Sequence, residues 1–469
     1  MARTKILATI GPSSASYEIV KKMMKRGVAG FRINCAHGEP ALWNEYFKII
    51  RDVSSELDVT VSTIIDVPGP QIRSGDFNKF EVKKGDVVKL IYSFKEESEK
   101  HIPIPVKEFF TTVSHGDVVL YGDGELLLRI VNIDENIVEA MALNDAVVNP
   151  RKKLVIQGKD IEISFPSERD KSILEYATSI KASYVALSYV RTPGDVLLAR
   201  DFMARTGWVP GIISKIETRG SIQHIEGIIS SSDGILIARG DLGLHLPLEN
   251  LPILQREIIN KAMRAGKPTI IATEILESMI SSPRPSRSDV VDIYNIVHQL
   301  ADAILLTNET AIGKYPVETV EWAKKIIETA ENSIPNAIIE ESRRHIIVNS
   351  LREKYVQGLI LFAESIGGII VGYTKTGRLP LLISKLRPQV SIYIGSTQKQ
   401  VLERLSIYYG ISLIDLSRYG HDDIEYEDGV EMVFNVLKTK GLIKPGDIVV
   451  RSYTKYQQDI HEIRVEKIY

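Results

Sequence analysis

Short apolar runs in this chain end in residues able to do chemistry. Residues 234–243 read GILIARGDLG: four apolar positions, Ile235 to Ala238, then a cation, a glycine and a carboxylate at Arg239, Gly240 and Asp241. Such a run has the character of a strand buried on both faces. Ligands gather at the carboxyl ends of such strands in α/β folds. Gly240 lets the backbone approach a ligand and offers its N–H to an anion. Asp241 can hold a divalent metal through oxygen. Alone, the triplet reads equally well as a solvated turn with a local Arg–Asp pair. Other run ends repeat the pattern: Arg32, Asn34 and His37; Asp66 and Arg73; Lys215 and Glu217; Thr273; Thr307 and Glu309. Glu217 and Asp241 follow successive runs, so their carboxylates can share one Mg2+ or Mn2+. Lys215, Arg32 and Arg73 bring positive charge suited to a phosphate or an enolate oxygen. The hydroxyls of Thr273 and Thr307 can hold an anion or an ordered water. This balance fits metal-assisted chemistry on an anionic phosphate, not a Ser-His-Asp hydrolase. A structural alternative attaches to each residue. Arg32 and Asp66 can be an ion pair, Lys215 a layer residue, Glu217 and Glu309 helix caps, and Thr273 an N-cap. Their joint occurrence at successive run ends favours a site.

The elements that must position these residues recur. The runs are 5–9, 30–34, 62–66, 184–188, 211–215, 235–239, 269–273 and 303–307. All but one pair of neighbours are separated by the roughly 25–35 residues that a strand, a helix and two loops need. Helical patterns fill the intervals at 18–26, 40–56, 169–180, 254–265 and 290–300. Eight such units predict an α/β fold, a TIM (β/α)8 barrel whose strand ends converge on one mouth. The exception is the interval between Asp66 and Ser188. Residues 76–161 alternate with period two and carry turn signals at Gly85–Asp86, Gly116–Asp117 and Asp123–Gly124, which reads as an inserted small β-barrel placed as a lid. The barrel then comprises 1–75 and 162–332. Residues 333–469 read as a C-terminal α/β sheet domain, with strands at 367–374, 390–395, 411–416 and 447–453 and helices at 340–354, 398–408 and 429–440. No dinucleotide or P-loop glycine pattern occurs in it.

Composition narrows the function. A chain of 469 residues is too long for one ordinary domain. Hydrophobic content of 44%, charged content of 25% and a net charge of −2 describe a globular protein with no general nucleic-acid or membrane-surface affinity. The single cysteine, Cys35, excludes an intramolecular disulfide and a cysteine metal cluster. It reads as a core filler and fits a reducing, cytoplasmic setting. No run reaches membrane-spanning length.

From near residue 3 to the C-terminus the chain resembles the pyruvate kinase family. The matching segments are TKILATIGPSS (4–14), FRINCAHG (31–38), DVPGPQIRSG (66–75), ISKIE (213–217), ILIARGDLG (235–243), RAGKPTIIATEILESMISSPRPSRSD (264–289) and ADAILLTNETAIGKYPVE (301–318). The resemblance implies phosphoryl transfer from phosphoenolpyruvate to ADP, giving pyruvate and ATP. It implies that Glu217 and Asp241 hold Mg2+ or Mn2+. Lys215 would stabilise the transferring phosphoryl group and the enolate. The backbone N–H groups of Arg239, Gly240 and Asp241, with Thr273, would hold the carboxylate. Arg32 would bind the phosphate, and Asn34, His37 and Arg73 would serve phosphate and nucleotide. A cytoplasmic homotetramer, regulated through its C-terminal domain, is implied as well. Two other readings are a metal-dependent lyase or aldolase and a non-catalytic phosphometabolite sensor; neither accounts for both the lid and the intact Lys215, Glu217, Asp241 and Thr273.

The chain departs from the family pattern where a monovalent cation binds. RxNxSHG becomes Arg32-Ile33-Asn34-Cys35-Ala36-His37-Gly38, and DTKGPEIR becomes Asp66-Val67-Pro68-Gly69-Pro70-Gln71-Ile72-Arg73. Asn34 and Asp66 remain as monovalent ligands, while a hydroxyl at 36 and a carboxylate at 71 are gone. The expectation is an enzyme that does not require K+. The loop Thr374, Lys375, Thr376, Gly377 and Arg378 resembles the family's effector-phosphate loop, but Leu379 and Pro380 stand where a serine is usual. Residues 451–457 also lack the usual glycines. No strong activation by fructose bisphosphate is expected.

Overall fold

The computed structural model describes residues 2–419, 424–455 and 460–469. Eight parallel strands form a closed barrel in sequential order: Lys5–Ile10, Val28–Asn34, Ser62–Val67, Tyr184–Leu187, Gly211–Ile216, Gly234–Ala238, Thr269–Ala272 and Ala303–Leu306. Each expected strand is present, with ends within two residues of expectation. The last residue expected of several strands lies beyond the strand: Arg239 instead begins a short helix, Arg239–His245.

Strand alternation sorts each side chain to one face. Leu7, Ile64, Ala186, Ile213, Leu236, Ile270 and Leu305 fill the barrel interior, while Ile6, Ala8, Ile65, Ile212 and Ile235 pack outward under the helices. Continuing the same period, Asp66 follows Ile64 and Lys215 follows Ile213 on the inward face, at the carboxyl end. Apolar layers fill the barrel below, and Asp66 and Lys215 bring charge to its mouth.

The insertion after the third strand is the expected β region. Its strands make a six-stranded sheet and a separate ribbon of Phe80–Val82 with Ala146–Val148, and are not joined into one small closed barrel. A short helix, Lys107–Thr112, also interrupts the expected all-β run, burying Phe109 and Phe110 in the core of that sheet.

The C-terminal region forms a five-stranded sheet in the order Ile411–Asp415, Ile392–Ser396, Ile369–Tyr373, Ile448–Lys455, Ile460–Lys467. The last strand is antiparallel and was not expected. The helix expected over 340–354 is two helices, Asn336–Arg344 and Leu351–Ile366. The second starts afresh because Ser350 and Glu353 form a reciprocal capping box, each side chain taking the other's backbone N–H. This region covers the amino-terminal end of the barrel. Its Leu359, Ile360, Ile383 and Tyr408 belong to the same apolar cluster as the barrel interior. A buried ion pair, Arg387 to Asp302 at 2.7 Å, locks the two together, with both side chains 2% exposed.

Candidate active site

The barrel mouth brings Arg32, Asp66, Lys215 and Glu217 into one network. Arg32 Nε lies 2.5 Å from Asp66 Oδ2, and its Nη1 donates to Thr9 Oγ1 at 3.2 Å. Lys215 Nζ donates to Ser188 Oγ at 2.7 Å and lies 3.4 Å from Glu217 Oε2 and 3.8 Å from Asp66 Oδ1. Burial works against the charged Asp66, but Arg32 and Lys215 outweigh it and hold the carboxyl below its ordinary value. Lys215 is likewise opposed by burial, yet Asp66 and Glu217 hold its ammonium above the ordinary lysine range. Lys215 is therefore a fixed positive charge at neutral pH.

The two candidate metal carboxylates meet through a residue not singled out in the sequence. The Tyr189 N–H donates to Glu217 Oε1 at 2.7 Å, and its hydroxyl donates to Asp241 Oδ1 at 3.3 Å. Tyr189 adopts φ +55°, a conformation an L-residue seldom takes without cause. Fully buried Glu217 leaves Oε2 with no hydrogen-bond partner. Burial pushes its carboxyl up to about 7, against the pull of Lys215. Asp241 goes the other way: Lys153 and Lys215 overcome burial and keep it ionised. A buried carboxylate oxygen that makes no hydrogen bond, beside a second carboxylate, fits a hard divalent cation completed by substrate oxygens or water. Among the described residues no cluster of three or more His, Cys, Asp or Glu side chains competes for a metal.

The loop that carries Thr273 is built on strained backbone. Thr273, directly after the seventh strand, holds φ +68° and Glu274 φ +54°. Thr273 Oγ1 accepts the Gly240 N–H at 2.9 Å. Arg239 turns its side chain away, to Asp292 at 2.7 Å and to the carbonyls of Thr273 and Glu274. It braces the loop, leaving only its backbone for the site. Thr307 donates its N–H to Glu309 Oε2 at 2.6 Å, and burial pushes the Glu309 carboxyl up to about 7.

Asn34 Oδ1 accepts the Ala36 N–H, closing the turn after the second strand. The His37 carbonyl takes the Trp43 indole N–H. Arg73 stands apart from the network at the lid's base, donating to Gln71 Oε1 and the Arg151 carbonyl and pairing across a β-bridge with Lys153. Cys35 is fully buried and its thiol is pushed up by burial, as a core filler requires. In the C-terminal region, Thr374 Oγ1 accepts the Gly377 N–H, and Lys375 Nζ lies 5.4 Å above the Tyr426 ring. Tyr373, Tyr426 and Tyr453 crowd Thr376 and Arg378 around a cavity of about 30 Å3. Tyr456 and Gln457 of the glycine-poor stretch lie outside the described residues.

Ser188, Tyr189 and Lys153 are the site residues the sequence did not single out. Ser188 had a signal, the polar end of the run YVALS; Tyr189, one residue beyond it, had none. Lys153 had none, because its Asp241 contact spans 88 residues.

A parallel eight-stranded barrel with a charged network at its carboxyl mouth, roofed by an inserted β domain and sealed below by an α/β domain, defines a multidomain TIM-barrel enzyme. Residues 1–320 match the family model described as pyruvate kinase, barrel domain, and residues 363–454 that described as pyruvate kinase, alpha/beta domain. The chain is 35% identical over 465 residues to the pyruvate kinase of Aeropyrum pernix, covering 99% of this chain and 98% of that one. It is 34% identical to that of Pyrobaculum aerophilum, covering 93% and 92%. The crystal structure of pyruvate kinase from Pyrobaculum aerophilum superposes with a TM-score of 0.88 at 32% identity, over 99% of both chains. A pyruvate kinase from Cryptosporidium parvum superposes at 0.92, with 27% identity. The chain belongs to the pyruvate kinase family of phosphotransferases.

Proposed function

We infer that the chain transfers the phosphoryl group of phosphoenolpyruvate to ADP, giving pyruvate and ATP. The observation that carries this reading is the Glu217 oxygen that makes no hydrogen bond, buried between the Lys215 ammonium and the Tyr189 bridge to Asp241. Glu217 and Asp241 would hold Mg2+ or Mn2+, which neutralises substrate anion charge when bound. Arg32, anchored on Asp66 and Thr9, presents its remaining N–H groups to the phosphate. The Asp241 N–H and the Thr273 hydroxyl orient the substrate carboxylate; the Gly240 N–H is taken by Thr273 Oγ1 and positions that hydroxyl, which keeps its own proton to donate. Phosphoryl transfer needs alignment and charge neutralisation more than covalent help. As the phosphoryl group departs, charge grows on the enolate oxygen, and the Lys215 ammonium is preorganised to meet it. Thr307, tied to Glu309, offers a hydroxyl to the water that returns a proton to the enolate carbon. Asn34, His37 and Arg73 face phosphate and nucleotide.

In this reading residues 1–75 and 162–332 are the catalytic unit, 76–161 the lid and 333–469 the regulatory unit. K+ is not required: the Asp66 carboxylate already has Arg32 and Lys215 as counter-cations. The tyrosine-crowded cavity beside residues 374–378 supports the absence of strong fructose bisphosphate activation. The setting is cytoplasmic. A homotetramer fits the last strand, Ile460–Lys467, which is paired on one side only and exposes Ile463 and Val465. Among the described residues no helix is long and apolar enough to cross a membrane.

A coupled assay for pyruvate from phosphoenolpyruvate, ADP and Mg2+ tests the reading and separates it from a lyase or a sensor. Lys215→Met should lower turnover by about 10^3-fold or more while phosphoenolpyruvate binding stays measurable. Full activity in that variant would overturn the assignment.

A further inference from the structure

Lys153 is a lid residue whose ammonium sits in the barrel mouth. Its Nζ lies 2.8 Å from Asp241 Oδ1 and 2.7 Å from Asp123 Oδ1, and its side chain is only 14% exposed. Its backbone is held at the root of the lid, by the bridge to Arg73 and by the Gly122 N–H donated to its carbonyl at 2.9 Å. The next strand, Leu154–Ile156, places Val155 against Leu244 of the helix that carries Asp241. The same short segment therefore supplies both the charge on Asp241 and the apolar contact beside it.

The geometry points to Lys153 as a built-in stand-in for the divalent cation, which occupies Asp241 and latches the lid until metal displaces it. The inference rests on the reading of Glu217 and Asp241 as the metal pair. A lysine ammonium is a compact point charge. It satisfies one oxygen of Asp241 but does not reach Glu217 Oε2, which has the Lys215 ammonium 3.4 Å away and no hydrogen bond, so a dication that engages both carboxylates outcompetes it. Displacement does not strand the ammonium. Asp123, 74% exposed at the rim, already holds it and remains its partner after Asp241 is given up. Metal binding and loosening of the lid seam thus become one event, and the protein's own cation raises the metal concentration needed to fill the site.

Mn2+ titration of the full chain, read by the loss of free-ion electron paramagnetic resonance signal, tests this without turnover. Lys153→Met should bind Mn2+ about tenfold more tightly than wild type, a change of about 1.4 kcal/mol. Lys153→Arg, which keeps the charge, should stay near wild type. An unchanged or weaker constant in Lys153→Met overturns the stand-in role. A measurement on wild type removes any dependence on the variant's folding: Mn2+ should raise the acylation rate of Lys153, followed by peptide mass spectrometry, by about threefold or more. An equal or lower rate with Mn2+ also overturns it. Glu217→Gln separates the two levels of the argument. If it binds Mn2+ as wild type does, the metal reading falls and the latch with it. If it loses Mn2+ while Lys153→Met retains the wild-type constant, only the latch falls.

Discussion

The barrel is closed at both ends, and the two closures are built differently. At the amino-terminal end the C-terminal region continues the barrel's own apolar core. Its central polar contacts are buried: Arg387 meets both Asp302 oxygens through Nη1 and Nη2, and Asp302 also accepts the backbone N–H groups of Thr269 and Tyr409. At the carboxyl end the apolar contact with the lid shrinks to Leu120, Val155 and Leu244, with Leu127 partly buried beside them. The rest of that seam is polar, such as Asp160 accepting the Gly220 N–H, Arg191 donating to the Ile161 carbonyl, and Lys153 on Asp241. A continuous core stabilises in proportion to area and resists local opening, whereas a small polar seam exchanges its bonds for water at little net change. On these contacts the lower seam should hold where the upper one gives way first.

Changes at the two ends should therefore have unlike outcomes. The largest effect belongs to the lower end. Arg387→Ala leaves Asp302 buried without its partner and should destabilise the protein by about 3–5 kcal/mol; a denaturant midpoint equal to wild type would show that this seam is not the firm one. Next comes a buried carboxyl at the mouth. Glu309, about 1% exposed, holds its proton to about pH 7 in the folded chain, against an ordinary value of 4.5. The folded state then binds more protons between those values, so stability falls as pH rises through that window, by at most roughly 3 kcal/mol. Glu309→Gln should flatten this fall, as read from melting temperature against pH; an identical slope would reject the assignment. At the upper end, Leu244→Ala removes apolar contact and should weaken lid closure by about 2 kcal/mol. Amide exchange should quicken over Leu154–Ile156 while the melting temperature barely moves; a large melting shift would make the two ends alike. The smallest effect concerns the monovalent cation. Replacing K+ with a quaternary ammonium salt should change turnover by less than about twofold, because about 1.4 kcal/mol is needed for a factor of ten and Asp66 is already paired. Strong K+ activation would contradict this.

The repetitive part of the molecule was legible in the sequence. Buried parallel strands must be apolar along their length and must end where polarity resumes, so the runs ending at Thr9, Asn34, Asp66 and Lys215 marked both the barrel and its mouth. What escaped lacks that local signature. Residues 460–467, IHEIRVEK, mix charged and apolar side chains on an edge strand exposed along most of its length, a pattern with no buried face to announce it. The break between Arg344 and Leu351 depends on one serine and one glutamate three residues apart. Tyr189 was hidden because its role comes from a left-handed backbone at the strand end, and Lys153 because only the folded lid brings it to Asp241.

Thr273 holds a left-handed backbone with a branched side chain, a combination the unfolded chain rarely visits. Strand register on one side and the Arg239 brace on the other fix it there. The entropy of aiming this hydroxyl has thus been surrendered during folding, before the carboxylate that the proposed function assigns to it would arrive. A glycine at 273 would relieve the backbone, but it would hand that search back to each encounter with substrate.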